Sequence, residues 1–139
     1  MPYQKTQWKD HIEGVQTGTP VNAANLNNME EGIANLTSIA SGTNSRGTWM
    51  RYPNGLMICW GQATAVNAGG NAHAGVIWTY PVPFTQIPIV IANAVLDSSA
   101  GATVWVGGKT TTQVGLHATN GSSVTRDIPI DVIAVGVWR

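Results

Sequence analysis

Apolar residues recur at Leu26, Met29, Ile33, Leu36 and Ala40, with spacings of 3, 4, 3 and 4. That is a heptad seam, narrower than the stripe of a helix lying on a globular core. It predicts a helix over 21–41, starting at Thr19-Pro20 or at Asn22, both good start signals. Ser41-Gly42-Thr43-Asn44-Ser45 ends it. The seam spans about two heptads, and isolated helices of that length are marginal in water. Gly32 weakens it by roughly 1 kcal/mol relative to Ala. The helix therefore reads as one that associates with copies of itself through Leu26, Met29, Ile33, Leu36 and Ala40. The other reading is a single helix lying on the rest of the chain.

Beyond residue 46 the chain is rich in Val, Ile, Thr, Trp and Gly, which favours strands. Two apolar segments, 48–52 and 56–61, flank Pro53-Asn54-Gly55, a hairpin turn with Asn-Gly chemistry. Residues 65–74 are Gly/Asn/Ala-rich and read as a loop. Strands follow at 75–80, ended by the Pro81-Val82-Pro83-Phe84 corner, and at 87–96, with Pro88 near its start. Residues 102–106 and 114–117 read as strands joined through Gly107-Gly108-Lys109, and Asn120-Gly121-Ser122-Ser123 as a turn. Residues 127–138 close the chain. There Ile128, Ile130 and Val132 fall on one face and Asp127, Asp131, Ile133 and Val135 on the other. No βαβ unit fits, so the expected fold is mainly β: a short N-terminal coiled-coil helix, then an antiparallel six- to seven-stranded β-sandwich. The expected divisions are 1–20, a polar, irregular segment; 21–45, helix and linker; and 46–139, the sandwich.

Charge changes this picture. Acidic and basic residues number 7 each, so there is no basic footprint for nucleic acid. No Lys, Arg, Asp or Glu occurs between Tyr52 and Leu96. A monomer surface ordinarily needs interspersed charge. That stretch therefore reads either as surface covered by other subunits or as a small β protein with a Ser/Thr/Asn/Gln exterior. The longest nearly continuous apolar run, 87–96, is too short to cross a bilayer. The opening MPYQKTQWKDHIEG lacks the apolar centre of a secretory signal, so the expected product is made in the cytoplasm without a signal peptide.

Candidate catalytic chemistry is sparse. His11, His73 and His117 are dispersed, at no metal-ligand spacing. The lone Cys59 offers neither a disulfide partner nor a zinc motif, and reads as a small buried apolar residue. Asp127 and Asp131 share a strand face about 13 Å apart, wide for a glycosidase pair. No nucleophile elbow, phosphate loop or dinucleotide fingerprint is present. The expectation is a non-enzyme with no cofactor and no metal. The six tryptophans are more informative. Indoles stack on sugar rings, but in a small sandwich they are usually core. Trp60 and Trp78 read as core. Trp105, beside the Gly107-Gly108-Lys109 loop, reads as the best exposed platform. Asn120, Ser122, Ser123 and Arg126 would form a polar tip, either a solvated hairpin end or a sugar contact. The candidate carbohydrate ligands are Trp105, Lys109, Asn120, Arg126 and Asp97.

Trp8-Lys9-Asp10-His11 followed by GTPVNAANLNNMEEGI resembles a segment near the N-terminus of many tail-associated proteins of phages of Gram-positive bacteria. Three stretches are similar to the C-terminal domain of phage tail fibres: Asn54-Gly-Leu-Met-Ile-Cys-Trp60-Gly61, Tyr80-Pro-Val-Pro-Phe84 and Ile133-Ala-Val-Gly136. Thr110 to His117, with Ile133 to Gly136, also resembles the H-type lectin domain. These resemblances imply a homotrimeric virion fibre, attached to other virion proteins through Trp8 and His11. They also imply recognition of host surface glycan. A structural virion protein of the same fold, at head, collar or baseplate, is the alternative.

Overall fold

The computed structural model describes residues 22–96 and 101–139. The chain divides into two units, Met1–Ile39 and Ala40–Arg139.

In the first unit, helix α1 runs Ala23–Thr37. Asn22 is its N-cap, with extended backbone, and its Oδ1 accepts a hydrogen bond from the Asn25 N–H at 2.9 Å. Such a cap contributes about 1 kcal/mol. The other expected start, Thr19-Pro20, lies outside the described residues, as do Trp8 and His11. No acidic side chain sits in the first turn and no basic one in the last, so the helix gains nothing from its macrodipole. The seam is shorter than expected. Leu26, Met29 and Ile33 lie on the helix, with Met29 63 % exposed. The helix includes Leu36, whose side chain is outside the described residues. Ala40 does not belong to the seam: it is the first residue of a strand and pairs with Arg51. Ala40-Ser41-Gly42-Thr43 is a weak helix former, and ladder pairing satisfies its backbone better than a frayed last turn would.

Among the described residues the second unit has eight strands in two antiparallel sheets, against the expected six or seven. They are β1 (Ala40–Asn44), β2 (Gly47–Arg51), β3 (Leu56–Ala68), β4 (His73–Thr79), β5 (Ile89–Ala94), β6 (Ala102–Lys109), β7 (Gln113–Asn120) and β8 (Arg126–Val137). One sheet has the order β1-β2-β3-β8-β5, the other β4-β7-β6. The extra strand is β1, from the expected linker. The β2–β3 hairpin forms as expected around Gly55, which takes φ +94, while Asn54 Oδ1 accepts from the Leu56 N–H at 3.0 Å. Only residues 69–72 of the expected 65–74 loop are a turn. β3 continues to Ala68 and β4 begins at His73. Ala65 and Ala68 are fully buried: small side chains suffice where the two sheets close together. A bulge between Ala65 and Ala68 leaves Asn67 at φ 52, and Asp127 accepts from its N–H at 2.8 Å.

β8 alternates as its pattern predicts, with Ile128, Ile130, Val132 and Ala134 buried. They meet Met57 and Cys59 of β3 and Val114, Leu116 and Ala118 of β7 in one core. Trp78, Tyr80 and Phe84 extend it as an edge-to-face chain, with centroids 5.3 and 5.1 Å apart. Each such pair adds about 0.5–1.5 kcal/mol beyond area burial. Trp78 also donates Nε1–H to the Arg46 carbonyl at 2.8 Å, tying the small sheet to the β1–β2 turn. Trp60 is a correction: it is 39 % exposed, on the outer face of the five-stranded sheet. Met57 and Cys59 take the inward positions of β3, so Ile58 and Trp60 must face out.

Burial governs the two weakly acidic groups of this core. It pushes the Cys59 thiol from 9.0 up to about 11 and the Tyr80 hydroxyl from 10.0 up to about 12. Both protons are held longer in the folded chain than in the unfolded one. The stability these two groups contribute is thus complete below pH 9 and is lost as pH rises through 9 to 12. Urea midpoints are expected to be level from pH 7 to 8.5 and to fall beyond that. Cys59→Ala should remove the part of the fall between pH 9 and 11. An unchanged profile in that variant would show that burial of the thiol is not its cause.

Candidate functional site

The outer face of the three-stranded sheet carries an aromatic stack. Ladder register places Gly75 of β4, His117 of β7 and Trp105 of β6 in one row, and His73, Thr119 and Thr103 in the next. The Trp105 indole lies parallel to the His117 imidazole, with centroids 5.4 Å apart and planes 12° apart. His73 meets the indole at 6.1 Å, tilted by 59°. Glycines on both neighbouring strands make room for this. A Cβ at Gly107 would come within 2.7 Å of His117 Nε2, and one at Gly75 within 3.1 Å of His117 Nδ1. The imidazole can therefore lie along the sheet with the indole over it. Trp105 remains 42 % exposed. A fixed, flat indole is suited to the apolar face of a pyranose, because little side-chain entropy remains to be lost on binding. Imidazole N–H and threonine hydroxyl groups on the same face can meet sugar hydroxyls.

Other sequence candidates fall elsewhere. Lys109 is exposed at the end of β6, beyond a bulge that follows Val106. Asn120 is not a tip donor but fully buried. Its amide donates to the carbonyls of Ala68 (2.8 Å), Gly69 (3.2 Å) and Val124 (2.8 Å). Its Oδ1 accepts from the Ser122 N–H and from Arg126 Nε. Arg126 also reaches the Gly101 carbonyl at 3.2 Å. These two side chains hold the β3–β4, β5–β6 and β7–β8 connections together. Asp97 lies outside the described residues. Sequence reading passed over His73 and His117. They are 44 positions apart (117 less 73), and only the register brings both beside Trp105.

A second surface lies on the five-stranded sheet. Its outward rows are Ile91–Ile133–Trp60 and Ile89–Val135–Ile58, flanked by Asn93–Asp131–Gln62. Gln62 Nε2–H donates to Asp131 at 2.9 Å. Ile91 is 64 % exposed. A groove of about 550 Å³ is lined by Trp60, Gln62, Ile91, Asn93, Asp131 and Ile133. Contiguous apolar surface of this kind is uncommon on monomers.

The architecture has solved counterparts. An N-truncated R1-type pyocin tail fibre superposes with a TM-score of 0.60 and 16 % identity, over 86 % of this chain and 99 % of that one. A C-terminal fragment of the P. aeruginosa R1 pyocin fibre gives 0.61 at 15 % identity, over 98 % of this chain and 41 % of that one. The corresponding R2 fragment gives 0.51 at 18 %, over 96 % and 38 %.

The fold is tail-fibre-like.

This chain spans less than half the length of the two longer fibre fragments. No family model matches it. No curated protein does either.

The glycine floor makes the stack testable. Gly107→Ala is expected to displace His117 and tilt Trp105, altering the near-ultraviolet dichroism of the indole while far-ultraviolet dichroism is kept. The overpacking should cost on the order of 1–3 kcal/mol in unfolding free energy. Native aromatic dichroism in that variant would mean that the stack does not depend on the floor.

Proposed function

We propose that this chain is a short fibre component of a phage or phage-like particle that attaches the particle to surface carbohydrate on the host cell. The observation that carries this reading is the exposed Trp105 indole, held flat on His117 at the open face of a tail-fibre-like fold. The H-type lectin resemblance of residues 110–117 and 133–136 agrees with it. A single stacking site of this kind binds weakly. Several sites on one particle raise the overall avidity by factors of 10²–10⁴ without tightening any one of them.

The active form is a homotrimer. Its support is the Ile89, Ile91, Ile133 and Trp60 face, together with the heptad spacing of Leu26, Met29 and Ile33. The first 20 residues dock the fibre to other virion proteins. The chain carries out no catalysis and needs no cofactor. A structural fibre of the same fold is the second reading. Asn120 and Arg126 favour it, because their polar groups are used inside the molecule rather than offered to a ligand.

Purified full-length protein is expected to adsorb to host cells or to arrayed host glycans. Trp105→Ala should weaken that adsorption at least tenfold with far-ultraviolet dichroism retained. Absence of adsorption, or adsorption indifferent to Trp105, would leave the structural fibre as the function. Sedimentation should give a trimer, and Ile91→Asp should shift it toward monomer. A stable wild-type monomer would rule out the homotrimer.

A further inference from the structure

A cationic corner forms where β2 meets the end of β8. Trp49 and Arg51 are two residues apart on β2, so both project from its inward side. The Arg51 guanidinium carbon lies 5.2 Å from the Trp49 ring centroid and 5.1 Å from that of Trp138. Trp138 is fixed in place. Its backbone N–H donates to the Gly55 carbonyl and its Nε1–H to the Tyr52 carbonyl, each at 3.0 Å. The Arg139 guanidinium lies 5.1 Å from the same Trp138 ring, and its stem packs on Gly55. Two indoles thus hold two guanidiniums at the rim of the core.

The hydrogen-bonding capacity of this corner is largely unused. Arg51 has five N–H donors. Among the described residues it uses one, Nε to Met57 Sδ at 3.5 Å, and a thioether is a weak acceptor. No described carboxylate pairs with Arg51 or Arg139. The two described side-chain carboxylates of this unit are engaged elsewhere, Asp127 with the Asn67 N–H and Asp131 with Gln62. Both lie on the other half of β8. Arg51 is level with Met57 and Gly136, and Asp131, five residues along, is about 17 Å away. Two guanidiniums against one ring repel each other. The indole faces offset only part of that, at about 0.5–2 kcal/mol each.

We propose that this corner is an oxyanion site, taking a phosphate or carboxylate group carried by the polymer that the fibre meets. Arg51 supplies a planar fork matched to two oxygens of such a group. Trp49 and Trp138 hold that fork in one orientation, and Arg139 adds the second charge. The site is separate from the Trp105 stack and does not depend on it.

The test is titration of the full chain with sodium phosphate and, separately, sodium acetate, at constant ionic strength set with sodium chloride, following tryptophan emission. The expected result is a saturable change with at least one of the two oxyanions. Phosphate alone would assign a phosphate substituent, and acetate alone a carboxylate. Arg139→Gln should weaken binding at least threefold and, being at the exposed rim, should leave melting unchanged. Arg51→Lys keeps the charge but not the fork and should weaken it at least tenfold. A non-saturable response, one reproduced by chloride, or binding unaffected by Arg139→Gln would overturn the proposal, even if the Arg51 variant failed to fold.

Discussion

The pairing of β3 with β8 is the constraint on which the rest of the β unit depends. These are the two longest strands, and they lie side by side inside the five-stranded sheet. Their register sets which side of each strand faces the core. Slipping either by one residue would expose Ile128, Ile130 and Val132 and bury Asp127 and Asp131. The bulge at Ala65 and Ala68 lets the pairing survive an extra residue, and Asp127 holds it by accepting from Asn67. Everything downstream inherits this register: β2 and β1 on one side, β5 on the other, and the small sheet packed across the inward row.

Two outer faces follow, with different chemistry. On the five-stranded sheet, residues opposite the core row are apolar where strands 5, 8 and 3 meet. On the three-stranded sheet, glycine at Gly75 and Gly107 leaves space that His117 fills, with Trp105 over it. The absence of two methyl groups thus decides that an imidazole lies flat and an indole stays on the surface. The polar turn after β7 serves the fold instead. Asn120 uses three carbonyls and two donors to lock neighbouring connections.

Much of the architecture was legible in the chain. The alternation of β8, the Asn54-Gly55 turn, the Pro81 to Phe84 corner and the single helix all rest on local periodicity and turn chemistry, which neighbours along the chain decide. Trp78 was read correctly as core. The misreadings share one cause. Segment 65–74 and Ala40 look like loop and helix because glycine and asparagine favour turns and alanine favours helix, and strand pairing overrode those local preferences. Trp60 was misplaced because Ile58-Cys59-Trp60 is apolar on both faces. Period two shows that alternate residues part, but not which set turns inward.

Sequence by itself determined a β-rich chain with a capped helix and no charge between Tyr52 and Leu96. Those properties are set by residue type and near neighbours. Only the tertiary structure decided what stands beside what. It put His73 and His117 at Trp105, took Asn120 out of solvent, and set Arg51 between Trp49 and Trp138. Most of these partners lie on different strands, and ladder register and sheet packing bring them together. Both arise from the collective burial of a core rather than from any short stretch of chain.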